Sequence, residues 1–406
     1  MSDNLVRLIS NRKNYQVMSK KAKTKDNIFL NTKKNLKKRI KKCRKSKMFF
    51  ELRGEEMNKI VDIGGRKIGE GQRTFIIAEM SANHNQDFNR AAQIIKAAKE
   101  AGADAIKLQT YTPDTITFNS DNEYFQIKQG TIWDGTTLHK LYEEAYTPWQ
   151  WQPELKKIAE KEGLICFSSP FDDTAVDFLE DMDVPAYKVA SFELTDIPFI
   201  EYIASKGKPV IMSTGIAQIG EIYEAIEACK RQGNENVVLL KCSSSYPSPL
   251  EDINLKTIPN MRDTFNCSVG LSDHTMGYSV ATAAIALGAT VIEKHFTLKR
   301  SDGGPDSAFS MEPEEFKAMV KSIREVEKAL GRVTYELTEK QKNSRQHSRS
   351  LFTVKDIEKG EIFTNENVKS IRPAFGLKTK YTKDVIGKKA RRDIKKGTPL
   401  DWSLLE

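Results

Sequence analysis

Between Phe75 and Thr297 the chain repeatedly closes a short apolar run with side chains that can do chemistry. Glu79, Asn83 and His84 end the first run, Lys107 and Gln109 the second, Ser168 and Ser169 the third, and Lys188, Ser191 and Glu193 the fourth. Ser213 and Thr214, then Ser244 and Tyr246, then Ser272, Asp273 and His274, and finally Glu293 and His295 close the other four. Ordinary strand ends carry turn residues, not this density of lysine, glutamate and histidine. Neutral imidazoles from neighbouring strands, as His274 and His295 would be, can bind one divalent metal and leave positions open to substrate and water. Alternatively, the pair only hydrogen-bonds a substrate. Asp273 and Glu293, their chain neighbours, could orient the rings. With no thiolate among the ligands and few carboxylates, Mn2+ or Mg2+ suits the place better than zinc. Lys107 and Lys188 are costly inside a protein unless an anion meets them. With hydroxyls from Ser191, Ser213 and Ser272 they suit a phosphate and a carboxylate on one small ligand. The alternative is a lysine Schiff base with a carbonyl substrate. Glu79 and Glu193 should stay ionised beside such cations, as a base or as a holder of a substrate hydroxyl.

These side chains converge only if the runs are strands of one sheet. The runs cover 75–84, 105–111, 164–172, 186–193, 209–215, 237–246, 267–274 and 291–297. Segments of helical period follow most of them, at 90–102, 153–163, 174–183, 198–207, 220–233, 279–288 and 312–331. Strand and helix alternating eight times predicts an α/β fold, a (β/α)8 TIM barrel, in which the carboxyl ends of all strands meet at one catalytic face. The connection 112–150 is long for such a barrel and reads as a lid or binding loop.

Charge is unevenly placed along the chain. Residues 1–57 hold 18 Lys+Arg against 5 Asp+Glu, whereas the other 349 hold 46 against 50. The basic balance therefore belongs to a leader, densest at KKNLKKRIKKCRKSK (33–47), and the hint of nucleic-acid binding attaches to that tail alone. The leader reads as a disordered, solvated tail or as an upstream translation of a chain beginning at Met57, and as dispensable for folding and turnover. Cys43, Cys166, Cys229, Cys242 and Cys267 show no zinc spacing and suit a reducing cytoplasm. No apolar run reaches the roughly 18 residues that span a bilayer, and no signal-peptide core is present. Residues 58–70 read as a hairpin turning at Gly64-Gly65, so the barrel domain is placed at 58–331. Residues 332–347 read as a polar linker, and 348–406 as a small β-rich domain in which VKDIEKG and RRDIKKG echo one another.

The motifs AEMSANHN (78–85), DAIKLQTY (104–111), VPAYKVASFE (184–193), GKPVIMSTG (207–215), LLKCSSSYPSP (239–249), GLSDHT (270–275), GATVIEKHFT (288–297) and GGPDSAFSM (303–311) resemble those of the sialic acid synthase family. That family joins phosphoenolpyruvate to an N-acetylated sugar. The C-terminal segment resembles its antifreeze-like SAF domain, a β-clip, with SIRPAFG (370–376) at the Arg-Pro loop. Within the family the chain is most similar to the pseudaminic acid synthases. The pointers are SANH and ASFE in place of the usual glycine-containing versions, the loop text at 125–149, and SSPFDDTAVDFLE (168–180). The resemblance implies condensation of phosphoenolpyruvate with 2,4-diacetamido-2,4,6-trideoxy-β-L-altropyranose to give pseudaminic acid and phosphate. N-acetylneuraminate or legionaminate synthase is the alternative.

Carried over onto this sequence, the family's metal histidines fall on His274 and His295. Its phosphoenolpyruvate contacts fall on Lys107, Lys188, Ser191, Ser213 and Ser272. Glu79 and Asp306 match acids near the reacting carbons, and Glu193 matches a second glutamate. Gln109 and Tyr246 match sugar-side positions, whereas Ser244 stands where the family usually has asparagine. Arg372 matches an arginine that reaches the barrel of a partner subunit, so the resemblance also implies a domain-swapped homodimer.

Overall fold

The computed structural model of the chain describes residues 60–128 and 130–406. The readings on the basic leader lie outside the described residues. The chain divides into two compact units, with the boundary between Leu330 and Gly331.

The first unit opens with a hairpin of β1 (Val61–Ile63) and β2 (Arg66–Ile68), paired antiparallel. Its two-residue turn is Gly64-Gly65, with φ of 58° and 81°. Two successive positive φ values match the twist of the flanking strands and favour glycine at both places. A methyl on Gly64 would stand 3.4 Å from Ile165 and 3.5 Å from Pro185, so the turn lies under the starts of two barrel strands.

Eight parallel strands close the barrel: β3 (Phe75–Glu79), β4 (Ala105–Thr110), β5 (Ile165–Pro170), β6 (Tyr187–Val189), β7 (Val210–Ser213), β8 (Val237–Lys241), β9 (Ser268–Asp273) and β10 (Val291–His295), with β10 pairing back onto β3. The fold predicted from the alternation is the fold observed. The strands are buried on both faces, which is why they read as continuous apolar runs. The helices Phe88–Glu100, Gln152–Lys161, Asp173–Asp181, Ile197–Ser205, Ile219–Arg231, Ser279–Ala286 and Pro313–Leu330 fall where the periodic segments predict them. Asp87, Asp172 and Asp196 cap three of them by accepting hydrogen bonds from backbone N–H groups of the first turn.

Two elements depart from the sequence reading. The helix Thr257–Phe265 between β8 and β9 was not foreseen, because Pro259 in its first turn masks the pattern of Ile258, Met261 and Phe265. The polar stretch read as a linker contains a short helix, Glu339–Ser344, started by a capping box of Thr338 and Gln341. It buries no face, so no apolar period announces it.

In the second unit β11 (Ser350–Thr353) and β12 (Val368–Ile371) pair antiparallel over a small core that includes Leu351, Ile357, Phe363, Val368 and Ile394. The sequence echo has a structural meaning. Ile357 and Ile394, one from each copy, exchange backbone hydrogen bonds of 2.9 and 2.8 Å. Asp356 accepts from the Lys396 N–H at 2.7 Å and Asp393 from the Lys359 N–H at 2.8 Å, so each repeat caps the other's turn.

Candidate active site

Side chains alternate in and out along a strand, and the barrel register fixes which set faces inward. Glu79 lies level with Lys107 on one side and His295 on the other. Ser272 lies level with Glu293. The inward residues at the strand ends build one connected network. Lys107 Nζ sits 3.0 Å from both Glu79 and Glu293. Glu293 accepts from the Ser272 hydroxyl at 2.9 Å and stands 4.0 Å from Lys188. Gln109 donates to Glu79 and to the Ser81 hydroxyl, both at 3.0 Å, and Ser81 in turn donates to Asp306. Ser81 holds φ of 46°, a left-handed conformation that serine rarely adopts, to make this link.

The charges in the network differ in kind. Burial opposes ionisation of Glu293, but Lys107 and Lys188 outweigh it and hold its pKa down at about 2. Burial pushes Glu79 up to about 7 against the pull of Lys107. Burial likewise raises Glu193 to about 7. Lys188 is drawn down by burial to about 8, whereas Glu293 and Glu79 keep Lys107 raised despite its burial. Among these five groups one is a permanent anion, one a permanent cation, and three titrate near neutrality. A bell-shaped kcat/KM profile follows. Activity should fall below about pH 7 as Glu79 or Glu193 takes up a proton, and above about pH 8 as Lys188 loses one. Glu79→Gln and Glu193→Gln, measured over the same range, identify which acid sets the lower limb; a profile without limbs contradicts the reading.

A nest of hydroxyls gathers at the ends of β6, β7 and β8. Ser191 accepts from the Gly215 N–H at 3.2 Å, while the buried hydroxyl oxygens of Ser213 and Ser244 have no protein partner. A methyl on Gly215 would meet Ser244 Oγ at 2.1 Å and Ser191 Oγ at 2.8 Å. Glycine is thus required there for space. Unpaired buried hydroxyls beside two lysines suit an anion with several acceptor oxygens.

His274 and His295 face each other with ring centres 5.2 Å apart, under the rings of Tyr246 and Phe309. Burial, with His274 and Lys107 close by, holds the His295 pKa well below its usual value, so this ring is neutral. Its buried Nδ1 has no partner. The His274 Nδ1 lies 3.2 Å from the Ser243 carbonyl, which orients that ring and leaves its other nitrogen for the cavity. Two oriented imidazoles with an orphaned nitrogen fit a divalent metal. Among the described residues no three His, Cys, Asp or Glu side chains cluster in a way that could hold one. The metal would thus rest on two protein ligands.

The structure corrects several members of the ring read from sequence. Neither Asp273 nor Glu293 reaches a histidine ring. Asp273 faces out of the barrel and pairs with Lys294, and Glu293 faces in and pairs with Lys107. Ser168 also faces out, toward Thr110 at 2.6 Å, and leaves the inward position to Ser169. His84 turns to Thr147 at 3.1 Å and accepts from the Gln86 N–H; burial lowers its pKa to about 4. It is a neutral structural histidine. Asn83 bonds the Phe296 carbonyl and Ser310 and holds the loop that carries Asp306. Arg372 belongs to the second unit and is exposed on its own loop, where Ser350 bonds the Pro373 carbonyl and the Gly376 N–H.

Sequence reasoning missed Trp133, Ser81 and Phe309. Trp133, in the long 112–150 connection, donates to the Pro305 carbonyl at 2.8 Å and lies 5.7 Å from Tyr246. The connection thus covers the histidine side, as expected of a lid. Trp133 carries no periodic signal.

The mouth of the (β/α)8 barrel thus combines paired lysines, an unsatisfied hydroxyl nest and a buried histidine pair, a set whose chemistry suits an anionic ligand. The NeuB family pattern matches residues 94–335 and the SAF domain pattern residues 348–406. The chain is 51% identical to a pseudaminic acid synthase of Campylobacter jejuni subsp. jejuni serotype O:2, over 81% of this chain and 96% of that protein. It is 47% identical to a pseudaminic acid synthase of Helicobacter pylori, over 82% and 97%. Among solved structures it is similar to the N-acetylneuraminic acid synthetase of Leptospira borgpetersenii serovar Hardjo-bovis in complex with citrate, with 31% identity, a TM-score of 0.64, and coverage of 71% of this chain and 95% of that one. The chain belongs to the NeuB family and carries a C-terminal SAF domain.

Proposed function

We propose that this chain is a pseudaminic acid synthase, a transferase that forms a C–C bond between phosphoenolpyruvate and 2,4-diacetamido-2,4,6-trideoxy-β-L-altropyranose and releases pseudaminic acid and phosphate. The observation that carries the reading is the barrel mouth itself, lysine pair against hydroxyl nest, in a chain half identical to synthases of that name. Lys107 and Lys188 would hold the carboxylate and phosphate, with Ser191, Ser213 and Ser272 as donors. Gln109 and Tyr246 would line the sugar side, and Ser244, whose hydroxyl lies in the nest near Ser191, would face the phosphoenolpyruvate instead. His274 and His295 would hold Mn2+ or Mg2+, which when bound supplies Lewis-acid polarisation of the sugar aldehyde. Carbon 3 of phosphoenolpyruvate attacks the aldehyde carbon, water adds at carbon 2, and phosphate leaves with its bridging oxygen as that C–O bond breaks. Glu79, Glu193 and Asp306 would move the protons. Holding two substrates in line can supply up to about 7–11 kcal/mol of the barrier.

The test is phosphate release from phosphoenolpyruvate with each candidate sugar. The 6-deoxy sugar should exceed N-acetylmannosamine by roughly 10–200-fold in kcat/KM for each contact that differs. Comparable values would move the assignment to the sialic acid branch. Activity should vanish in EDTA and return with Mn2+ or Mg2+; full turnover after exhaustive chelation ends the metal reading.

The assembly we read is a homodimer in which Arg372 of one subunit completes the site of the other. The exposed Arg372-Pro373 loop and the polar stretch before the second unit support it. Arg372→Ala should cut turnover while leaving the dimer intact. Hybrids with an inactive His274→Ala subunit should recover part of the activity; verified hybrids without recovery overturn the swap. A cytoplasmic setting fits the buried thiols of Cys166, Cys229 and Cys242. Among the described residues no helix is long and apolar enough to cross a membrane.

A further inference from the structure

Behind the two histidines, on the outer face of the barrel, lies a buried ion pair that the chemistry above does not use. Lys294 and Asp273 lie level in the β9–β10 register, and their side chains are 1% and 0% exposed. Lys294 Nζ donates to Asp273 at 2.7 Å and to the Thr275 carbonyl at 2.6 Å. The other Asp273 oxygen accepts from the Thr275 N–H at 2.9 Å and from its hydroxyl at 2.7 Å. The residues on either side of His274 are therefore tied to one ammonium, and that ammonium belongs to the residue beside His295. The His274 carbonyl is fixed as well, accepting from the Ser248 N–H at 3.0 Å. Because side chains alternate, Ser272, His274, Glu293 and His295 face inward while Asp273 and Lys294 face outward between them.

Stability does not account for this pair. Taking two charges out of water costs about what their attraction returns, and well-packed apolar residues of similar volume are often as stable or more so. A charge pair kept at such a place gains its value from what it fixes. We propose that Lys294 and Asp273 are positioning residues: their ion pair sets the separation and aim of His274 and His295 and so the affinity of the divalent-metal site. This rests on the metal reading of those histidines.

The test measures Mn2+ binding to the metal-free full-length protein, from the free-Mn2+ EPR signal, beside the melting temperature. Lys294→Met alone strands a buried carboxylate and should lower both melting temperature and Mn2+ affinity. The double variant Asp273→Leu with Lys294→Met removes both charges. Its melting temperature should lie above that of Lys294→Met, because no charge is stranded and only the Thr275 hydrogen bonds are lost, while Mn2+ affinity weakens by roughly 10–100-fold, as for other groups that orient metal ligands. Wild-type Mn2+ affinity in a stably folded double variant overturns the proposal and leaves the metal reading standing. Absence of Mn2+ binding by the wild type overturns the metal reading, and the positioning role with it.

Discussion

Lys107→Met should abolish turnover and destabilise the barrel together. The Lys107 ammonium is the sole cation within 3.0 Å of either Glu79 or Glu293 among the described ion pairs, and both carboxylates are buried. Removing one partner of a buried charge pair costs about 3–5 kcal/mol, because the remaining charge is left uncompensated. Here two carboxylates would be left facing one cavity, with only Lys188 nearby at 4.0 Å. The loss should shrink as pH falls, since protonating Glu79, whose pKa is already raised, removes one stranded charge. Turnover should fall by at least about 10²–10³ in kcat, the scale seen when one preorganised donor is removed from a reaction centre. The double variant Lys107→Met with Glu79→Gln separates the two effects. It should regain much of the lost melting temperature and none of the activity. Recovery of activity would mean that Lys107 serves only to neutralise Glu79.

The barrel and its mouth were legible because buried parallel strands read as apolar runs and their carboxyl ends as interruptions. That signal says which strand a residue ends and roughly where. It does not say which way a side chain points, since a shift of one position reverses the face. Asp273 and Ser168 were drawn into the site for that reason; each is one residue from an inward neighbour, Ser272 and Ser169. Glu293 was read as a partner of His295, two positions away on the same face. The register instead sets it beside Ser272, within reach of Lys107. Trp133 and Asp306 reach the mouth from loops whose course is fixed by a few specific contacts, among them Trp133 to the Pro305 carbonyl and Ser81 to Asp306. Contacts of that kind leave no period in a sequence; Asp306 could be named only through family resemblance, and Trp133 not at all.

Gly215→Ala should damage phosphoenolpyruvate binding while sparing the fold. Gly215 has no left-handed backbone, so the cost is purely one of space. The added methyl would stand 2.1 Å from Ser244 Oγ, 2.8 Å from Ser191 Oγ and 3.1 Å from the Ser244 backbone nitrogen. The Ser244 hydroxyl can rotate away, but the Ser244 backbone nitrogen at 3.1 Å cannot, and Ser244 and Ser191 lie only three and two residues past the ends of β8 and β6. Over-packing of this kind costs roughly 1–3 kcal/mol, taken mostly from the loop. The same distortion should break the 3.2 Å hydrogen bond from the Gly215 N–H to Ser191 and displace both hydroxyls of the nest. The expected split is a KM for phosphoenolpyruvate raised more than about tenfold, since one lost contact of about 1.4 kcal/mol is already a factor of ten, with the sugar KM nearly unchanged. Gly215→Ala combined with Ser244→Gly removes the closest clash and should recover part of the affinity. If the phosphoenolpyruvate KM stays at the wild-type value while the sugar KM rises, the nest belongs to the sugar, and the two substrates exchange sides of the barrel mouth.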